Sequence, residues 1–213
     1  MADLLDWDEQ GSDRPTIKLL DIGTGANGVY PLLAYQIYGW HCVGSDINAQ
    51  SLENVASIIE SNPQLKETFI LRHQPDKNKM FEGIIRPGEF FDVSVCNPPF
   101  HASREEALKS NRRKSNKLAR NRGESPAEPA PKNFGGLEAE LWCKGGERLF
   151  LKKYVKESQL FADQCRWFTS LVSKHENVKP TKKLIRKQGA VDIREIEMAQ
   201  GNKITRFLAW TFI

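Results

Sequence analysis

The chain has 213 residues, 31 Lys and Arg against 27 Asp and Glu for a net charge of +4, and a mean hydropathy of −0.52. That is enough for one large α/β domain, which buries about 70% of its unfolded surface and needs no disulfide or metal staple. No stretch approaches the roughly 18 apolar residues of a membrane helix. The acidic first ten residues lack the basic and apolar regions of a secretory signal. The four cysteines, Cys42, Cys96, Cys143 and Cys165, form no C-x-x-C pair and only four histidines accompany them, so zinc is not expected. Three of the four lie in apolar runs, as reduced core cysteines of a cytoplasmic protein would.

In chain order, 18–22 reads as a short strand that stops at Gly23, 28–38 as a helix and 41–46 as a second strand. Residues 48–61 place Leu52, Val55, Ile58 and Ile59 on one helical face, with Asn48 as N-cap. Strands follow at 68–72 and 90–96, the latter ended by Asn97-Pro98-Pro99. Between Arg104 and Arg122 eight basic residues face two acidic ones, a local +6 that leaves the rest of the chain at −2. Pro126, Pro129 and Pro131 mark 123–131 as a loop. The whole stretch 104–132 is expected to be a basic, mobile loop. Residues 147–163 read as a helix with Leu149, Phe150, Tyr154 and Leu160 apolar. A fifth strand follows at 165–172, then a basic helix at 179–188. Strands at 190–198 and 204–213, joined by Gln200-Gly201-Asn202, form a hairpin.

Five β/α units and a hairpin predict a single α/β domain over 1–213. It is a Rossmann-like, seven-stranded, mostly parallel sheet with a reversed edge strand and helices on both faces. Ligands of such sheets bind beyond the carboxyl ends of the strands. The first such end reads Asp21-Ile22-Gly23-Thr24-Gly25-Ala26-Asn27-Gly28. Glycines there let a ligand approach the backbone, and the next helix offers free N–H groups. The G-x-G-x-x-G spacing alone fits a dinucleotide fingerprint equally well. Asp46, 21 residues after Gly25, is placed to accept both ribose hydroxyls of an adenosine.

Asn97-Pro98-Pro99-Phe100 follows a buried strand. An exocyclic amine on a nucleobase is a poor nucleophile, because its lone pair is delocalised into the ring. Two acceptors aimed at its N–H bonds, Asn97 Oδ1 and the Pro98 carbonyl, favour a pyramidal nitrogen with its lone pair free. The prolines preorganise those acceptors. Phe100 offers a stacking face for an extruded base, worth about 1–3 kcal/mol.

With these residues in place, the sequence resembles the class I S-adenosylmethionine-dependent methyltransferases that act on amino nitrogens. More specific blocks are Gly25-Ala26-Asn27-Gly28-Val29-Tyr30-Pro31, Asn133-Phe134-Gly135-Gly136, Glu140-Leu141-Trp142-Cys143 with Gly145-Gly146-Glu147, Thr169-Ser170-Leu171-Val172-Ser173 with Glu176-Asn177, and Met198-Ala199-Gln200-Gly201 with Arg206-Phe207 and Ala209-Trp210-Thr211-Phe212. These are similar to the bacterial 23S ribosomal RNA adenine-N6 methyltransferases of the RlmF type, with eukaryotic adenine-N6 relatives sharing some of them. The resemblance implies methyl transfer from S-adenosylmethionine to N6 of a specific adenine in 23S ribosomal RNA, free or in an assembly intermediate, without a metal. It implies Asn97, Pro98 and Phe100 as catalytic residues. Asp21, Gly23, Thr24, Gly25, Asn27, Asp46 and Gln74 would hold the cofactor, Gln74 in the turn where relatives place its adenine.

For RNA, His101, Arg112, Arg113, Lys114 and Lys117 are the candidates, because the basic run directly follows the acceptor tetrapeptide. Glu140 and Glu147 are read as structural, and Trp142 and Trp210 as core. Family members carry a further N-terminal helical segment before the position of Ala2, so an isolated catalytic domain or a shortened homologue is expected. Three alternatives stay open on the same fold: a guanine-N2 ribosomal RNA methyltransferase, a protein glutamine methyltransferase, and an RNA-binding module with a silent methyltransferase fold.

Overall fold

The computed structural model describes residues 2–5, 16–99, 143, 145–200 and 203–213. Its strands are β1 (Lys18–Ile22), β2 (His41–Asp46), β3 (Phe69–His73), β4 (Phe91–Cys96), β5 (Cys165–Val172), β6 (Asp192–Gln200) and β7 (Lys203–Thr211). The helices are α1 (Val29–Tyr38), α2 (Ala49–Glu60), α3 (Gly146–Ser158) and α4 (Val178–Lys187). They form one seven-stranded sheet in the order β3-β2-β1-β4-β5-β7-β6. All neighbours from β3 to β5 run parallel; β7 runs antiparallel to both β5 and the outermost β6. The expected fold class stands, with the reversed strand at this edge inserted just inside the last one.

The sheet is apolar on both faces because helices cover both. On one side Leu19, Trp40, Cys42, Val55 and Val93 pack with Ala34 of α1. On the other, Leu20, Ile22, Phe168 and Trp210 pack with Leu151 and Tyr154 of α3 and Ile185 of α4. Tyr154 meets Phe81 and Trp210 at ring-centroid distances of 4.9 and 5.8 Å. The Trp210 indole donates to Ser158 Oγ (3.0 Å), so this residue is core, as expected. Cys42, Cys96 and Cys165 are buried free thiols.

Asn48 caps α2 by accepting from the backbone N–H groups of Gln50 and Ser51 (2.9 and 3.2 Å), the role its sequence position predicts. Two expectations need correction. The helix read as 147–163 ends at Ser158 in a short 3-10 turn, Gln159–Phe161, and its inward stripe is Leu151, Tyr154 and Val155. Leu149 and Leu160 face solvent instead. Second, no helix lies between β3 and β4, so one of the five β/α units is missing. There the chain makes turns around buried Phe81, Ile84 and Ile85. Glu157 of α3 holds them by accepting from the backbone N–H groups of Met80, Phe81 and Glu82 (2.9–3.0 Å). Residues 201–202 lie outside the described residues; the Gln200–Lys203 pairing leaves two residues to join β6 and β7. No helix among the described residues is long and apolar enough to cross a membrane.

The helices change faces between β1 and β4: α1 and α2 lie on one side, α3 and α4 on the other. Such a reversal opens a crevice at the carboxyl ends of the two strands.

Candidate functional site

Strand register builds the site. Ile22 of β1 lies beside Ser45 of β2 and Cys96 of β4. The next residues, Gly23, Asp46 and Asn97, therefore stand in one row at the carboxyl edge, with about 5 Å between neighbouring strands. The glycine turn is fastened to this row: the N–H groups of Gly23 and Thr24 both donate to the Ser45 carbonyl (2.8 and 2.9 Å).

Asp46 is buried, and its two carboxylate oxygens accept from Gly25 N (2.9 Å) and Asn48 N (2.8 Å). Gly25 delivers its N–H from φ 65°, a conformation open to glycine at little cost. Burial raises the Asp46 carboxyl above its ordinary range, opposed by the backbone donors of Asn48, Gly25 and Ile47 and by nearby His73. A carboxylate has about four acceptor sites, so the backbone donors leave Asp46 with acceptor capacity to spare.

Asp21 is the most unusual group. It belongs to the last two residues of β1, is fully buried, and neither carboxyl oxygen has a hydrogen-bond partner among the described residues. Burial pushes its carboxyl up to about 7; the Thr24 hydroxyl lies close enough to lower it somewhat without reaching hydrogen-bond geometry, and Asp46 raises it further. A buried, unpartnered carboxyl costs stability. The two acids act on each other electrostatically, Asp21 enclosed beneath the row and Asp46 within it, and together they favour positive charge at this end of the sheet. Packing leaves room for little else: a Cβ on Gly44, next to Asp21 in the β1–β2 register, would meet Phe69 Cε2 and Thr24 Oγ1 at 2.9 Å.

At the third position of the row, Asn97 is exposed and its side-chain amide has no partner among the described residues, while Pro98 is buried. Among the described residues nothing claims the amide, and the backbone behind it is held. Below, Ser94 and Tyr154 share a hydrogen bond (3.1 Å), Tyr154 donates to the Thr169 carbonyl (3.2 Å), and Thr169 donates to the Ser94 carbonyl (2.8 Å). This buried polar link ties β4 to β5 and α3 under the acceptor turn.

Among the other candidates, Asn27 is exposed in the glycine turn. Gln74 is buried, but its amide serves its own loop: Nε2 donates to the Glu82 carbonyl (2.9 Å) and Oε1 accepts from Asp76 N (3.1 Å). Its backbone N–H donates to the Asp46 carbonyl (2.9 Å). Gln74 shapes the wall beside Asp46, its amide oriented by its own loop. Arg72 is committed to Glu89 through two short contacts and to the Ile84 carbonyl. Phe100, His101, Arg112, Arg113, Lys114 and Lys117, with the loop 104–132, lie outside the described residues.

Sequence reasoning passed over what Glu147 does. This buried carboxylate in the first turn of α3 accepts from Ser173 N (2.6 Å), Ser173 Oγ, Lys174 N (3.1 Å) and Asn177 Nδ2 (2.6 Å). It joins the start of α3 to the junction between β5 and α4. A glutamate in a helix's first turn is ordinary in a sequence, and its partners come from a distant segment.

The model of a family described as RNA methyltransferase matches residues 1–213. A Saccharophagus degradans protein named Ribosomal RNA large subunit methyltransferase F is 61% identical over 197 residues, covering 92% of this chain and 62% of its own length. A Shewanella baltica protein of the same name is 55% identical over 213 residues, covering 100% of this chain and 58% of its own. The chain thus spans about three-fifths of the curated relatives it matches. Among solved structures, the hMettl16 catalytic domain in complex with MAT2A 3′UTR hairpin 1 matches at TM-score 0.74 and 27% identity, over 92% of this chain and 64% of that one. The N-terminal domain of human METTL16 in complex with SAH matches at TM-score 0.73 and 22% identity, over 100% of this chain and 67% of that one, and shows the fold alone.

Proposed function

Because the chain belongs to this RNA methyltransferase family, we propose that it transfers a methyl group from S-adenosylmethionine to the N6 amine of an adenine in 23S ribosomal RNA. The observation that carries the reading is the row at the carboxyl edge: buried Asp46 stands two strands' width from Asn97 on its Pro-held turn, with the enclosed carboxyl of Asp21 beneath the row. The acid pair suits a cationic ligand with ribose hydroxyls, and the amide suits an amine. The names of the relatives from Saccharophagus and Shewanella support ribosomal RNA as the substrate. The complex of hMettl16 with an RNA hairpin supports RNA binding on this fold.

Asp46 would accept the ribose hydroxyls, and the enclosed Asp21 would favour the positive charge through its field. Gly23, Thr24, Gly25 and Asn27 would line the turn against which the cofactor lies. S-adenosylmethionine, when bound, supplies an electrophilic methyl on a positively charged sulfur. The protein's part is orientation and charge. Asn97 Oδ1 and the Pro98 carbonyl would accept the two N–H bonds of the target amine, so its lone pair turns toward the methyl. Phe100 would stack on the base, and His101 with the basic residues Arg112, Arg113, Lys114 and Lys117 would hold the phosphates around it.

The test is incubation of the protein with labelled S-adenosylmethionine and unmodified ribosomal RNA, followed by nucleoside mass spectrometry. N6-methyladenosine confined to the large-subunit RNA is the expected product. N2-methylguanosine, or label in ribosomal protein, would overturn the acceptor assignment.

A further inference from the structure

We infer that helix α4 is a rigid second RNA-binding surface that contacts backbone phosphates through Lys179, Lys183, Arg186 and Lys187. The inference rests on the RNA reading above and adds a place for the RNA outside the 104–122 run.

Its first support is the composition of the helix. Val178–Lys187 contains five cations and no acid. Val178, Thr181 and Ile185 point into the core, so the cations fill the opposite half. Charges set there for stability would alternate in sign at i,i+4. Instead Lys179–Lys183, Lys183–Lys187 and Lys182–Arg186 are like-charge pairs at that spacing. Lys179 also occupies the first turn, where the helix dipole disfavours a cation and the helix itself carries no acid, whereas Arg186 and Lys187 in the last turn suit the dipole. The like-charge pairs and Lys179 work against the helix that carries them.

The second support is where the counter-ions go. Glu195 of the neighbouring β6 pairs with Lys182 (2.9 Å) and lies 3.5 Å from Arg206 of β7, which also pairs with Glu197 (3.0 Å). Lys179, Lys183, Arg186 and Lys187 are exposed and make no ion pair among the described residues. Spaced along the helix at about 6 Å per four residues, Lys179, Lys183 and Lys187 form a line about 12 Å long.

The third is position. α4 starts at the carboxyl end of β5, beside β4 and its Asn97, and runs back along the domain from the crevice. Glu147 fixes its start through Ser173, Lys174 and Asn177. A strand of RNA that presents one base at Asn97 can continue along this line. An anionic membrane fits less well, since the apolar face a lipid-binding helix needs is already spent in the core.

The test compares wild type, K179S/K183S and K18S/K66S in binding to labelled oligoadenylate over a salt series. Lys18 and Lys66 are exposed at the opposite, amino edge of the sheet and match the charge change. K179S/K183S should weaken binding at low salt and flatten the log–log salt slope by about 0.7 for each phosphate no longer neutralised, so by up to about 1.4. K18S/K66S should keep the wild-type slope. The thermal midpoint of K179S/K183S should hold or rise, because like-charge pairs are removed; a loss of binding with a collapsed midpoint would count against the inference. Equal slopes in wild type and K179S/K183S would overturn it and leave the RNA reading intact. So would equal flattening in both variants, which would signal net charge alone. A wild type with no salt-dependent RNA binding would overturn the RNA reading and this surface together.

Discussion

Asp21→Asn should stabilise the cofactor-free protein at alkaline pH while weakening its hold on S-adenosylmethionine. Burial, with Asp46 alongside, moves the Asp21 carboxyl from 3.8 to about 7. Between those values the folded chain keeps a proton that the unfolded chain has released. Stability therefore falls as pH rises through that window and is level on either side of it. The gap is worth about 4 kcal/mol, fully exacted by pH 8 and absent below the unfolded value. Asparagine has no charge to bury and removes this dependence. Urea unfolding of both proteins from about pH 4 to 8, plotted as variant minus wild type, cancels the titrating groups that do not interact with Asp21 and leaves Asp21 with its coupling to Asp46. The difference should rise toward about 4 kcal/mol in favour of the variant. A flat difference would refute the argument that Asp21 is held without a partner. Cofactor binding should move the other way. The ionised acid is the form that favours a cation, so wild-type affinity should climb with pH through about 7 and that of the variant should not.

Asp46→Ala should cost about tenfold or more in S-adenosylmethionine affinity by calorimetry, since a charge-assisted hydrogen bond is worth about 1.5–3 kcal/mol; unchanged affinity in a folded variant would rule out the ribose role. Asn97→Ala should lower the rate of methyl transfer by about 10²–10³ with cofactor affinity kept; near-normal turnover on RNA would remove it from the acceptor site. Glu147→Ala leaves the Asn177 amide and two backbone N–H groups without their acceptor in or near the core. It should cost at least about 3 kcal/mol by denaturant unfolding, and a loss below about 1 kcal/mol would show that water replaces the carboxylate.

The fold was legible because its signals are local. Each strand is a short apolar run, Asn48 announces α2, and the Gly23–Gly28 turn and the Asn97-Pro98-Pro99 stop mark two strand ends. The row of Gly23, Asp46 and Asn97 followed from those ends once the sheet was taken as doubly wound. What stayed hidden depends on distant partners. That Asp21 is wholly enclosed needs Thr24, Asp46 and the β2 wall around it, and nothing in its own neighbours says so. The Gln74 amide bonds Glu82 and Asp76, a loop geometry that its own neighbours do not announce. Leu149 and Leu160 look like core by composition, but the stripe that faces the sheet is set by Tyr154 and its neighbours. Between β3 and β4 the turns are held by Glu157, a residue roughly 75 positions further along.

The Glu147 knot also bears on how this sequence can vary. β4 ends at Cys96 and α3 begins at Gly146, so about 50 residues of sequence separate two fixed posts. Pro98 anchors the first, and Glu147 clamps the second to the β5–α4 junction. The hydrogen bonds that hold the second post all come from Ser173, Lys174 and Asn177 among the described residues. Lengthening such a connection is cheap, since each doubling costs only about 0.6 kcal/mol of closure entropy. Changes of length in that stretch can therefore accumulate at little cost to the row of Gly23, Asp46 and Asn97.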